Sequence, residues 1–353
     1  MALPFESESA PPLVSVLMIT YNHRPYLEKA VQGILNQQTS FPVELLIGED
    51  WSTDGTRDLV FELGKRNPGR IRVIASEKNV GLHANLARVE RAAIGKYVAY
   101  CEGDDFWNDP QKLAKQVAFL ESRPAYTFVH SHCHRYVVAE NRLMADSLKV
   151  PRDLDDSKAF EDILLGRRSP LTVTVMARRD ELNQVLENCP ECTDPVWPMG
   201  DTQRWLELSR RGKVGCIHES LATHNWLPES AGQSQDPQKR LKFYSAAREI
   251  KLHYLRKYPV APEIDRAVKR RVASLLLNYA FQAADLDFAR KLYLEYRSNG
   301  GTPDLRTRSL LWGSASVNRQ RWVQPVLLFH KNYRRLIRQA RIRILRDRTA
   351  LHE

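Results

Sequence analysis

The sequence predicts an α/β protein: a mainly parallel, twisted sheet flanked by helices, followed by an α-helical C-terminal extension. Three observations predict it. Short, nearly uninterrupted apolar runs at residues 13–19, 43–48, 71–75 and 97–101 have the character of strands buried on both faces. Amphipathic helical segments separate these runs, and the connections are too long for hairpins, so the strands are joined by right-handed crossovers. From about residue 236 onward the apolar spacing is helical throughout.

Taken in order, the first strand ends in Thr20-Tyr21-Asn22-His23, and a helix begins near Pro25 with the stripe Leu27, Val31, Ile34 and Leu35. The second strand ends in Glu49-Asp50-Trp51-Ser52-Thr53-Asp54-Gly55-Thr56, and Leu59, Val60 and Leu63 follow at helical spacing. A third strand, 71–75, leads to a helix over 82–94. The fourth, 97–101, ends in Glu102-Gly103-Asp104-Asp105, then Phe106, Trp107 and Asp109-Pro110, before a helix with the stripe Leu113, Val117 and Leu120.

Three carboxylates within four residues repel one another and are costly to desolvate, so a strand end that carries them calls for a countercharge. A divalent cation carrying a diphosphate supplies it, since hard oxygen ligands suit Mg²⁺ or Mn²⁺. A solvated acidic turn ahead of the next helix is the alternative. In open parallel sheets ligands bind beyond the carboxyl ends of the strands. Asn22, the 49–56 stretch and the 102–105 cluster all fall at such ends and should converge on one edge. No Gly-x-Gly-x-x-Gly or Gly-x-x-x-x-Gly-Lys-Ser/Thr loop is present, which disfavours dinucleotide and P-loop chemistry.

The 353 residues allow one large domain or two modest ones, and 43% hydrophobic with 27% charged content is that of a globular protein. The formal net charge of +11 is uneven: residues 331–348 carry eight Lys or Arg against the single acid Asp347. This segment reads as a basic amphipathic helix, on a membrane surface or docked on the catalytic domain. The five cysteines form no disulfide framework. Cys189-Pro190-Glu191-Cys192 is a lone pair, too few for a tetrahedral zinc site, and its spacing is read as adventitious. The first twelve residues do not resemble a signal peptide and no apolar run is long enough to span a bilayer, so the chain is expected in the cytoplasm, peripheral on the inner face of the membrane. The expected divisions are a flexible N-terminus at 1–12, a catalytic domain at 13–235 (halves 13–125 and 126–235), a helical extension at 236–300, and a linker with the basic tail at 301–353.

Residues 15–22, 49–56, Asn79-Val80-Gly81 and Glu102-Gly103-Asp104-Asp105 resemble, in order and spacing, the family 2 glycosyltransferases. The resemblance covers about residues 12–230. It implies a nucleotide-sugar-binding α/β fold of the GT-A kind, an inverting transfer, and Mn²⁺ or Mg²⁺ as cofactor. It also implies roles. Thr20, Tyr21 and Asn22 would line the base pocket, with Asp50 and Ser52 beside it; Asp50 would accept from the base or ribose, unless it makes an Asx turn with Ser52 and Thr53. Asp54 is read as structural, a turn and cap. Asn79 would lie at the donor, and Lys78 or Arg88 would neutralise the diphosphate, unless either is a solvated charge. Glu102, which stands where the family commonly has aspartate, Gly103 and Asp104 would face the donor, and Asp104 and Asp105 the metal. Met199-Gly200-Asp201-Thr202 resembles the segment whose aspartate is the base, which makes Asp201 the catalytic candidate; it would also serve as a helix N-cap.

Residues 170–176 look like the strand bordering the acceptor. Many members carry a Tyr-Arg-x-His element soon after the base; here His224-Asn225-Trp226-Leu227 stands in its place, and His224 is the only nearby substitute. His130-x-His132-x-His134 would put three imidazoles on one strand face, as a metal site or, more simply, a polar face. The implied partners are a nucleotide-diphosphate sugar and a glycan or lipid-linked acceptor, with no nucleic acid, since charge alone suggests one and no motif accompanies it. A catalytically degenerate, scaffold-type relative is the alternative.

Overall fold

A computed structural model describes residues 10–303 and 308, apart from 198, 229, 231 and 233, and leaves the side chains of 147 and 148 undescribed. The basic segment 331–348 lies outside the described residues, as does most of the 1–12 stretch. The chain divides into two compact units, the second beginning at Ser234.

The first unit alternates β1 (Val14–Thr20), α1 (Arg24–Leu35), β2 (Val43–Glu49), α2 (Thr56–Arg66), β3 (Ile71–Ala75), α3 (Leu82–Ala92) and β4 (Tyr97–Tyr100). It continues with β5 (Phe106–Trp107), α4 (Lys112–Glu121), β6 (Tyr126–Val137), β7 (Arg142–Leu148), α5 (Ala159–Leu164), β8 (Met176–Arg178), α6 (Arg179–Asn188), α7 (Asp201–Arg211) and β9 (Lys213–Trp226). Among the described residues nine strands form one sheet in the order β3-β2-β1-β4-β8-β6-β9-β5, with β7 beside β6.

β1 pairs in parallel with both β2 and β4, and β2 with β3. These central strands bury both faces: Val14, Val16, Leu17 and Met18 of β1 and Tyr97, Val98 and Ala99 of β4 are at most 2% exposed. Beyond β4 the sheet is mixed. β8 runs antiparallel to β4 and β6, while β6 and β9 run parallel to each other with register shifts around His132.

The expected acceptor-side strand at 170–176 is corrected. Thr172–Thr174 is a 3₁₀ turn, in which Thr174 N–H donates to Leu171 O, and the strand starts only at Met176. Two side chains from neighbouring elements fix that turn: Trp107 Nε1 donates to Val173 O (3.0 Å) and Gln116 Nε2 to Thr174 O (2.8 Å). Local β-propensity is overridden by these tertiary bonds.

Among its described residues the second unit holds three helices, α8 (Pro237–Lys257), α9 (Pro262–Gln282) and α10 (Leu286–Ser298). Asp236 and Asp285 cap α8 and α10 by accepting from the Gln238 and Phe288 N–H groups. Leu276, Leu277, Phe281 and Leu292 form its core, and the Tyr244 and Tyr279 rings stack at 4.1 Å. α9 begins ten residues before the apolar run at 272–279 suggested. No helix among the described residues is long and apolar enough to cross a membrane.

Candidate functional site

The carboxyl ends of β1, β2 and β4 open onto a cleft of about 440 Å³. Thr20, Tyr21, His23, Asp50, Asn79, Gly81, Leu82, Asn85, Glu102 and Asp104 line it together with Ile19. Three motifs expected to converge therefore do so. Tyr21 and Leu82, 44% and 46% exposed, form an apolar lip.

The β1 and β2 ends are tied to each other. Asn22 sits at φ +57°, a left-handed position that Asn tolerates. Its N–H donates to Ser52 Oγ (3.0 Å) and its Oδ1 accepts from Thr53 N–H (2.9 Å). Ser52 thus braces the loop. Asp54 accepts from Arg24 N–H (3.1 Å) and Thr56 N–H (3.0 Å), the structural part expected of it. Glu49, buried and not singled out from the sequence, accepts from Ser52 N–H (2.6 Å) and pairs with Arg57.

Asp50 makes no Asx turn with Ser52 or Thr53. Its Oδ1 accepts from Val80 N–H (2.8 Å) and Ser76 Oγ (3.2 Å), and its Oδ2 from Gly81 N–H (2.9 Å). The carboxylate pins the 79–81 turn, in which Gly81 takes φ +84° where an L side chain would be strained.

Lys78 and Arg88 do not line the cleft. Lys78 is exposed, and Arg88 donates to Asn85 Oδ1 (2.7 Å) and Glu49 O (3.5 Å). Asp105 and Asp201 likewise stand outside that lining.

At the end of β4, Gly103 packs so closely that a Cβ there would lie 2.7 Å from Thr20 Oγ1. Burial, then the Asp104, Asp105 and Asp201 carboxylates, push Glu102 well above the usual carboxylate range. Burial and Asp105 likewise raise Asp104, against the pull of His23 and His224; His23 Nδ1 lies 4.0 Å from Asp104 Oδ1.

Asp105 is 2% exposed and is turned from the cleft lining toward β9. Its Oδ1 accepts from Asn225 N–H (2.7 Å), and His224 Nδ1 lies 3.1 and 3.0 Å from its two oxygens. Burial opposes the charged imidazole, but the facing Asp105 outweighs it and the His224 pKa is raised. Asn225 Nδ2 also donates to Asp104 O. His23 and Asn225 were not singled out from the sequence; the run Thr-Tyr-Asn-His at a strand end was the one available signal for the first.

Asp201 is the first residue of α7, with Gly200 at the cap position, so the cap expectation is corrected. Its Oδ2 accepts from Thr172 Oγ1 (3.3 Å) and its Oδ1 from Thr202 N–H (2.7 Å). The start of α7 is anchored by Arg204, fully buried in a two-pronged pair with Glu90 of α3 (2.7 and 2.8 Å). Arg204 also donates to the Cys192 and Gly200 carbonyls, and Tyr100 OH completes Glu90. His83 Nε2 lies 2.6 Å from Trp197 O in the segment leading to Asp201.

The three histidines of β6 do not converge. His130 is buried, His132 contacts His218, and His134 Nδ1 accepts from Asp146 N–H. Cys189 and Cys192 lie 3.3 Å apart through sulfur, and Cys216 is grouped instead with His132 and His218.

The carboxylate cluster fits a hard divalent cation. Negative groups gather here with the His23 and His224 imidazoles opposing them at Asp104, and the buried Thr20 Oγ1 and Asn225 Oδ1 have no hydrogen-bond partner among the described residues. Glu102, Asp104, Asp105 and His224 are the residues available to hold it.

A sequence model of the family described as glycosyl transferase family 2 matches residues 15–167. An uncharacterized protein of Mycobacterium tuberculosis is 39% identical over 213 residues, 60% of this chain; the chain spans 58% of that relative's length. The putative teichuronic acid biosynthesis glycosyltransferase TuaG of Bacillus subtilis is 29% identical, over 69% of this chain and 91% of its own. An uncharacterized glycosyltransferase of Haemophilus influenzae is 30% identical, over 81% of this chain and 86% of its own. Among solved structures, the mannosyltransferase PcManGT of Pyrobaculum calidifontis, in complex with GDP-Man and Mn²⁺, shares the fold: TM-score 0.55, 17% identity, 90% of this chain and 84% of that one.

Proposed function

We infer the reaction from the premise that this chain belongs to glycosyl transferase family 2. The reading is an inverting, metal-dependent transfer from a nucleotide-diphosphate sugar to a hydroxyl of a glycan or lipid-linked acceptor. The observation that carries it is the cleft at the ends of β1, β2 and β4, where Glu102 and Asp104 stand side by side and Asp201 is near enough for its charge to act on Glu102. In this reading Tyr21 and Leu82 frame the base, and Asp50 keeps lone pairs for the ribose or base while it holds the 79–81 turn. Asn79 lines the same cleft. Glu102, Asp104 and Asp105 with His224 would hold Mn²⁺ or Mg²⁺, which when bound supplies positive charge for the departing diphosphate.

Asp201 takes the proton of the acceptor hydroxyl as its oxygen bonds to the anomeric carbon and the bond to the diphosphate oxygen breaks. Its carboxylate stands at the N-terminal end of α7 and accepts from the Thr172 hydroxyl. The Glu90–Arg204 pair keeps that carboxylate rigidly placed, as such a base requires. The scaffold alternative drew on a missing histidine; the position of His224 beside Asp105 supports its standing in for that group.

A role in bacterial surface polysaccharide synthesis is proposed from relatives such as TuaG. Attachment to the inner face of the cytoplasmic membrane is proposed from the basic charge at 331–348.

The test is nucleotide diphosphate release from a panel of nucleotide sugars with Mn²⁺, Mg²⁺ or EDTA. The reading expects turnover of at least one donor with metal, abolished by EDTA and by Asp201→Asn while that variant still binds donor. Equal rates in EDTA, or failure of every donor to bind, would refute it.

A further inference from the structure

Away from the cleft, β6 and β9 bring together three side chains that no step of the transfer uses. One ligand atom each from His132, Cys216 and His218 lies within 4.8 Å of the others. We propose that these residues form a separate transition-metal site, suited to Zn²⁺.

The site arises from an irregularity in strand pairing. Ser131 faces Ile217, but the next residue, His132, faces Ser220, so His218 and Glu219 are looped out of register. The bulge swings His218 toward His132, and their Nδ1 and Nε2 atoms approach to 3.1 Å. That spacing is close to what two imidazoles adopt around one tetrahedral ion with Zn–N bonds of about 2.0–2.1 Å. Cys216 stands two residues before His218 on the same strand and completes a His₂Cys set with a fourth position for water.

The surroundings restrict which ion could bind. His132 is 6% exposed, and its Nε2 is the atom that faces His218. Arg152, Arg168 and Lys149 act on the cluster, offset by Asp146 and Asp156. Such a balance opposes a cation held by neutral ligands alone. It admits one that ionises Cys216, because the thiol releases its proton to solvent and contributes a compensating negative charge. A thiolate also selects Zn²⁺ over the Mg²⁺ or Mn²⁺ suited to the carboxylate cleft. His224 lies further along β9, so an ion here would clamp the strand that carries the histidine facing Asp105.

The test uses the full chain loaded with Zn²⁺, washed in excess Mg²⁺ and analysed for retained zinc. The expected result is one tightly held zinc in the wild type and in Asp105→Asn. In Cys216→Ser the affinity should fall by at least about 10-fold, the range seen when even an outer partner of a ligand is lost. A second readout needs no variant: Zn²⁺, but not Mg²⁺, should protect Cys216 of the wild type from alkylation, followed by peptide mass spectrometry. Zinc retained equally by Cys216→Ser, or alkylation of Cys216 at the same rate with and without Zn²⁺, would overturn the proposal.

Discussion

The ends of β2 and β4 look alike in sequence, since both finish in adjacent acidic residues, yet the fold treats them in opposite ways. At β2, Glu49 and Asp50 are met by backbone N–H groups, Arg57 and Ser76. At β4, Asp105 is met by Asn225 N–H and His224, whereas the Glu102 and Asp104 carboxylates oppose each other, with the His23 ring 4.0 Å from Asp104. Acidity at a strand end is therefore not by itself a site. What distinguishes a site is charge that the protein leaves uncompensated in a place a ligand can reach.

Several substitutions would break or sharpen this contrast. The largest effect on turnover should come from the group proposed to act on the acceptor. Asp201→Asn is expected to lower the transfer rate by about 10²–10⁴-fold, the usual weight of general base catalysis, with donor affinity kept. A drop confined to donor affinity would move Asp201 out of the base role.

Next comes the contrast itself, read in stability. Asp50→Asn presents an amide to two backbone N–H groups that the carboxylate now satisfies, and should destabilise the fold by about 1–3 kcal/mol in denaturant unfolding. Asp104→Asn removes one member of a repelling cluster, and should leave stability unchanged or higher. The reverse ranking would mean that the β4 carboxylates hold the fold together.

The third prediction concerns pH. Glu102 and Asp104 have raised pKa values in the folded protein, so the native state binds protons that the unfolded chain releases. Without metal, stability should accordingly fall as pH rises from the ordinary carboxylate range toward the raised folded values. His224 works in the same direction: its raised pKa means a contribution present below the unfolded value and lost as pH passes the folded one. Added Mn²⁺ should reverse the trend, because it favours the deprotonated groups. Thermal unfolding at a series of pH values with and without Mn²⁺ checks this; identical profiles would speak against a cation in the cleft.

The smallest effect should be that of Lys78→Ala. Lys78 is exposed and away from the cleft lining, and an exposed charge contributes up to about 1 kcal/mol, so the donor KM should change by no more than about 5-fold. A larger change would return Lys78 to the diphosphate.

The legible parts of the molecule were those written in local pattern. β1, β2 and β4 are apolar runs because both faces are covered, and the polar residues that end them mark the edge where ligands bind. Less was legible where tertiary bonds decide. The run at 170–176 has the composition of a strand, but Trp107 and Gln116 capture its carbonyls and hold a turn. Asp50 finds its partners about 30 residues away, at Val80 and Gly81, which no short-range pattern encodes. His224 reaches Asp105 across more than a hundred residues, through the register of β9, so the sequence could name it as a substitute but could not place it.

The most direct test of the central contrast is a Mn²⁺ titration followed by the electron paramagnetic resonance signal of the free ion, with nucleoside diphosphate present. The account predicts saturable binding in the wild type and in folded Asp50→Asn, and at least about a 10-fold weaker affinity in Asp104→Asn, as expected for loss of a ligand. Equal binding by Asp104→Asn and the wild type, or loss of binding in Asp50→Asn alone, would contradict it.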